Sequence, residues 1–274
     1  MSPTSRRAVL GAALAGAATA AVGLPATTAH AASWQLKWQP SASGDGLGAF
    51  ETVEDDRADS HPAGHPHIYA TGNNWRFNMH TVDRDTSTDR QRQEVTGLRT
   101  GSSSYLKWNE GQTWRVTYSM YIPSSLKATT TFTHIMQMKQ PGSGTSPIVV
   151  QSLRRDGGTS RASEAERGGG KQTIELNLAT DGIIVGRADL DPLHDSWTDV
   201  DFQIKVGNGS AGSVRWILKS GGATVIDASK TGVDTFLADR VRPKWGIYRS
   251  LGDTSGSLQD TYLLLTNLRG YQQV

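Results

Sequence analysis

Three short segments carry polar side chains at strand spacing, and their residue types suit two operations: gripping a carboxylate and moving a proton. In Asp89-Arg90-Gln91-Arg92-Gln93-Glu94 a period of two puts Arg90, Arg92 and Glu94 on one face, with Gln91, Gln93 and Val95 on the other. A strand-mounted arginine flanked by glutamate can be held rigid, so that its guanidinium fork meets a carboxylate through two hydrogen bonds. In residues 132–139 parity groups Gln137 with Ile135 and Lys139, and His134 with Met136 and Met138. Gln137 and Lys139 are therefore the pair expected on a binding face, which His134 joins only if a bulge intervenes. His134 itself divides between a core or supporting histidine and a catalytic base. In Lys244-Trp245-Gly246-Ile247-Tyr248-Arg249 the residues Lys244, Gly246 and Tyr248 share a face, leaving Trp245 and Ile247 for the core. A glycine at that point leaves a hollow beside the backbone and an unobstructed phenol.

Other polar stretches are less pointed. Residues 154–171 lack alternation and read as a long loop, in which Arg154, Arg155, Arg161 and Arg167 either reach a polyanion or are simply solvated. Residues 51–72 read as irregular surface. Their histidines, His61, His65 and His67, have no Cys partner and no helical spacing, so they do not by themselves indicate zinc. No acidic loop has the ligand spacing of a calcium site, so no cofactor is expected, although sandwiches of this kind can accept calcium.

The elements that must position these residues are strands. From Trp34 onward, short apolar alternations are separated by Gly, Ser, Asp and Pro, without linker, repeat or helical period. The clearest are residues 200–206, where Val200, Phe202, Ile204 and Val206 alternate with Asp201, Gln203 and Lys205, and residues 114–122, closed by Pro123. Further strands are expected at 34–38, 75–82, 90–96, 132–139, 148–153, 172–178, 183–187, 213–219, 244–249 and 261–268. Ser220-Gly221-Gly222 reads as a hairpin turn. About a dozen strands in one chain indicate an all-β jelly-roll sandwich of two curved antiparallel sheets.

Residues 1–31 read as an export signal rather than as part of the fold. Arg6-Arg7 precedes an apolar small-residue run over 9–22, and Ala29-His30-Ala31 has the small-x-small form of a cleavage site. The run is too short and too rich in Ala and Gly to span a bilayer, which takes about 20 apolar residues. The chain is thus divided into a twin-arginine signal, 1–31, and one catalytic domain, 32–274, secreted by the twin-arginine pathway. The chain carries 28 Lys and Arg against 26 Asp and Glu, and losing Arg6 and Arg7 brings the formal charge to zero. No global field then draws the protein to nucleic acid or membrane, and affinity for a polyanion must come from a local cluster. There is no cysteine, so the core alone must hold the domain, which is expected to act as a monomer.

Taken together, Asp89 to Glu94, His134-Ile135-Met136-Gln137-Met138-Lys139 and Lys244 to Arg249, supported by Gly212-Ser213-Val214-Arg215-Trp216 and the strand from Asp260 to Leu268, resemble the heparin-lyase-like polysaccharide lyases. These share a jelly roll with glucuronan lyases and, more distantly, alginate lyases. The resemblance implies β-elimination on a uronic-acid-containing polysaccharide. Arg92 and Gln137 would neutralise the uronate carboxylate, Tyr248 would act as acid, base or both, and Lys244, Lys139, Arg90, Glu94 and Arg249 would bind neighbouring groups. Alginate lyases hold Gln and His two apart on one strand, whereas His134 and Gln137 are three apart here, so His80 enters as a second candidate base. The rival readings on the same architecture are a glycoside hydrolase, which needs two flanking carboxyl groups, and a noncatalytic lectin-like module.

Overall fold

The computed structural model describes residues 32–61, 65–142, 145–155 and 171–274. The export signal expected over 1–31, and Arg161 and Arg167 of the arginine-rich loop, lie outside the described residues. The strands, in chain order, are β1 (Trp34–Trp38), β2 (Thr52–Glu54), β3 (Ile68–Thr71), β4 (Asn74–Met79), β5 (Arg90–Thr96), β6 (Thr113–Tyr121), β7 (Thr133–Lys139) and β8 (Val149–Arg155). They continue with β9 (Gln172–Leu178), β10 (Ile183–Asp189), β11 (Trp197–Lys205), β12 (Gly212–Ser220), β13 (Ala223–Val233), β14 (Arg242–Ser250) and β15 (Thr261–Gln273). They form two antiparallel sheets. One runs β13-β12-β11-β6-β15-β4-β3 with β1 on β15, and the other runs β10-β9-β8-β7-β14-β5-β2. This is the all-β jelly-roll sandwich expected from the alternation.

The two sheets bury their strands differently, and that difference locates the site. In β11, Thr198, Val200, Phe202 and Ile204 are buried while Trp197, Asp199 and Lys205 are exposed, so one face of its sheet meets the core and the other meets water. In β14 every residue from Pro243 to Arg249 is buried. One face of β14 packs into the core, where Trp245 stacks on Trp38 at 6.2 Å and Phe50 meets Trp75 edge-on at 5.6 Å. Truncating such a buried indole to alanine typically costs about 3–5 kcal/mol. The opposite face of β14 carries Lys244 and Tyr248, and what covers it is polar.

Three expectations are corrected. Residues 51–72 are not wholly irregular, because β2 and β3 lie within them and extend one edge of each sheet. The edge strand β13 was not foreseen: most of its residues are exposed, so no apolar alternation marks it. It returns from β12 through the anticipated turn, where Gly221 and Gly222 have φ of 57° and 81° and Ser220 pairs with Ala223. A single helical turn, α1 (Ala42–Asp45), is present despite the lack of a helical period. Ser41 caps it by accepting the Gly44 N–H.

Candidate active site

Strand register brings the three polar segments side by side. Tyr248 of β14 lies opposite Arg92 of β5 on one flank and opposite His134 of β7 on the other. Lys244 lies opposite Thr96 and Gln137 in the same way. Residues directly opposite across a ladder point to the same face, so His134 and Gln137 share a face although they are three positions apart. A bulge between His134 and Met136 makes this possible, and Ile135 and Met136 both enter the hydrophobic core.

This face opens as a groove of about 740 Å³. Its lining includes Arg57, Arg90, Arg92, Lys139, Arg242 and Lys244 against the carboxylates Glu54 and Asp85. Glu94 and Glu51, which bond to these cations from beside the groove, reduce the excess of positive charge to two. A chain whose formal net charge is only +2 thus concentrates cations where a polyanion can enter.

Beneath the groove Glu94 is fully buried and acts as a hub. Gln137 donates to it at 2.6 Å, Arg92 at 3.1 Å, and the Lys244 ammonium lies 3.0 Å away. Arg92 also donates to Asp85 at 2.9 Å, and Lys244 pairs with Glu54. Burial alone would raise the Glu54 carboxyl, but Lys244, Arg92 and Arg57 outweigh it and hold the group below its usual range. Burial pushes the Lys139 ammonium down, reinforced by Lys244 and Arg92 and opposed by Glu94 and Glu54.

Tyr248 sits among aromatic and cationic neighbours. Arg90 donates to its phenol oxygen at 2.7 Å, the Arg92 guanidinium lies 3.9 Å from its ring centroid, and Phe132 packs at 4.9 Å. His134 lies 5.8 Å from it, ring to ring, stacks on Phe132 at 4.8 Å and shares a hydrogen bond between Nδ1 and Ser152 Oγ. Burial, with Arg154 and Arg92 nearby, holds the His134 imidazole well below its ordinary value, so it is neutral near pH 7. His134 also lines an adjoining pocket of about 350 Å³ with Phe132, Arg154 and Asn177.

Of the residues singled out from sequence, Arg90, Arg92, Gln137, Lys139, Lys244 and Tyr248 line the groove, Glu94 lies beneath it and His134 flanks it. Two are elsewhere. Arg249 points to the opposite face of β14, where it donates to Gln91 Oε1 at 2.6 Å and to the Gln259 carbonyl at 3.0 Å. His80 follows β4 and faces Asp83 and the rings of His61 and His67 rather than the groove. Gly246 has a reason different from the hollow anticipated for it: its φ is +137°, and a Cβ there would stand 2.1 Å from the Gln93 carbonyl oxygen. Sequence reasoning missed Glu54, Arg57 and Asp85, which come from an edge strand and loops. It also missed Arg242, whose parity with Lys244 and Tyr248 was a usable signal.

A model of the family described as polysaccharide lyase matches residues 26–264. No curated protein is similar enough in sequence to match the chain. Among solved structures, similar ones include a marine alginate lyase from Aplysia kurodai, with TM-score 0.49, 11% identity and coverage of 86% of this chain and 98% of that one. The endo-β-1,4-glucuronan lyase from the fungus Trichoderma reesei has TM-score 0.45 and 14% identity, covering 86% and 90%. A marine alginate lyase from Zobellia galactanivorans has TM-score 0.48 and 12% identity, covering 82% and 96%.

Proposed function

The chain belongs to the polysaccharide lyase family, and from that premise we propose that its groove binds a polysaccharide containing uronic acid and cleaves it by β-elimination. The observation that carries this reading is the position of Tyr248, between the Arg92 guanidinium and a neutral His134 on one wall. The proton on C5 of a uronate is too weakly acidic to leave while the adjacent carboxylate keeps its full charge. Gln137, Arg92 and Lys139 meet that carboxylate and stabilise the enolate-like dianion as it forms, a function worth about 3–4 kcal/mol per donor. The base takes the C5 proton, the C4–O bond breaks, a C4–C5 double bond forms, and an acid returns a proton to the leaving oxygen.

Tyr248 is the proton carrier in this reading. The Arg90 N–H, directed at its oxygen at 2.7 Å, supports that oxygen whenever it carries charge and leaves its own proton available for transfer. His134, neutral and on the same wall, is the second group able to accept a proton. Glu94, its oxygens engaged by Gln137, Arg92 and Lys244, orients its partners instead of acting as a hydrolytic acid. Membership of a lyase family sets aside the hydrolase and lectin readings. Residues 1–31 direct export in this proposal, so that a monomeric protein starting near Ala32 meets its polymer outside the cytoplasm. N-terminal sequencing of secreted material checks this, and a cytoplasmic protein retaining Met1 would refute it.

The direct test is a screen of uronic-acid polymers for new ultraviolet absorbance from the carbon–carbon double bond. Alginate, glucuronan and heparin-like glycans are the first to try. Chain shortening without an unsaturated product would overturn the mechanism.

A further inference from the structure

We propose that His61, His67 and His80, with Asp83 beside them, form a site for a zinc-like divalent transition metal. In this proposal the ion clamps together the two loops that carry one wall of the groove. The rings come from separated parts of the chain: His61 and His67 from the connection between β2 and β3, and His80 from the residue after β4. One ring nitrogen of each lies within 4.8 Å of the other two. Nitrogen ligands at the usual zinc distance stand about 3.3 Å apart around a tetrahedral ion. Closing the set therefore takes small ring movements and no change of fold.

Two further observations point to a ligand at this place. Among the described residues, the buried Nδ1 atoms of His61 and His80 have no hydrogen-bond partner; Asp83 Oδ2, 3.3 Å from the second, is not aligned to accept from it. His67, buried, has Nδ1 at 3.0 Å from Asp55 Oδ1 and Nε2 at 3.2 Å from Asp83 Oδ1. A carboxylate on one ring nitrogen is the arrangement that orients a metal-binding histidine and presents its other nitrogen to the ion. Asp83 is fully buried and faces both His67 and His80, the position of a fourth ligand. A doubly protonated His67 would satisfy Asp55 and Asp83 without a metal, but it would leave the His61 and His80 nitrogens as they are. Imidazole donors select zinc, copper or nickel over calcium, which takes oxygen ligands.

The site has a defined consequence for the groove. Arg57, two residues beyond Asp55, bonds Glu54 at 2.7 Å, and Asp85, two residues beyond Asp83, holds Arg92 at 2.9 Å. An ion that joins these loops fixes the groups that orient Arg92. The metal site itself does not depend on the lyase reading, and its test can fail or succeed independently of it.

The experiment uses the full chain without an affinity tag, stripped with EDTA, and titrates Zn²⁺ by calorimetry alongside thermal unfolding. The expected result is one Zn²⁺ per chain with a Kd of about 1 μM or tighter. At a hundredfold excess over Kd the melting temperature should rise by about 5 °C or more. Ca²⁺ at the same concentration should not produce the rise. His61→Ala and His80→Asn, both at half-buried positions, should each weaken Zn²⁺ binding at least about 30-fold while keeping a metal-free melting temperature near that of the parent. Either variant suffices if the other fails to fold. Zn²⁺ binding weaker than about 100 μM, an equal response to Ca²⁺, or unchanged binding in a folded variant would overturn the proposal.

Discussion

Tyr248 retains 9% of its surface, enough for the phenol oxygen to meet a ligand while the ring is held by Phe132 and the Arg92 guanidinium. Replacing it with Phe removes the oxygen and leaves the ring and its cation contact. Turnover should fall at least about a hundredfold, the lower end for a lost acid or base, with polymer affinity within about threefold of the parent. Full activity in Tyr248→Phe would reject Tyr248 as the proton carrier. His134 makes a different prediction because it is neutral in the fold. Tyr248, Arg92, Arg154 and Ser152 face it, and burial is the largest cause of its depressed pKa, followed by Arg154 and Arg92. In the unfolded chain an imidazole gains its proton near pH 6.5. Below about pH 6.5 the unfolded state therefore binds more protons, and stability is lost at up to about 1.4 kcal/mol per pH unit until the folded pKa is reached. Urea midpoints at pH 7.5 and 5.5 should show this loss in the parent and a smaller one in His134→Gln. Equal losses would mean that His134 is not held neutral.

At the scale of the element, β14 is the strand on which the site depends. It runs between β5 and β7, and at Gly246 its backbone presses so closely on β5 that a side chain has no room. Gly246→Ala should cost about 3 kcal/mol or more, a fall in melting temperature of about 6–12 °C, through positive φ and overlap with the Gln93 carbonyl. A melting temperature within 2 °C or so of the parent would show that the two strands can separate at little cost. Much of this was legible beforehand, since the ends of β1, β5 and β9 match those read from sequence, and β1 and β9 are clean period-two runs. The bulge in β7 was not, because an inserted residue leaves no mark on composition, and simple parity sets His134 against Gln137. Glu54, Arg57 and Asp85 were hidden for a related reason: loops and three-residue strands have no period to read. The histidine cluster needs His80, which lies after β4 and comes beside His67 only through the antiparallel pairing of β3 with β4.

For the whole molecule the governing fact is an uneven distribution of charge that sums to almost nothing. With residues 1–31 removed the formal charge is zero, yet six cationic side chains line one groove. Long-range steering by net charge is absent, so attraction of a polyanion arises only within about a Debye length of the groove, roughly 20 Å at 20 mM salt and 6 Å at 300 mM. Raising NaCl across that range should increase KM for a uronate polymer by about threefold or more. The value of kcat should change little, because Arg92 and Lys244 keep little exposure in the groove wall, pair with the fully buried Glu94 beneath it and are poorly screened. Lys139, rimmed by Lys244 and Arg92 and partly exposed, should carry a large share of the salt-sensitive attraction. Its depressed pKa means that it loses charge below the usual lysine range, and affinity should therefore weaken on the alkaline side as Lys139 loses its proton. Lys139→Met should lower the salt dependence and remove this alkaline loss together. A KM that is independent of salt in the parent would show that the groove cations are already neutralised by Glu54, Asp85, Glu94 and Glu51. Uronate binding would then have to rest on hydrogen bonds from Gln137 and Tyr248 alone.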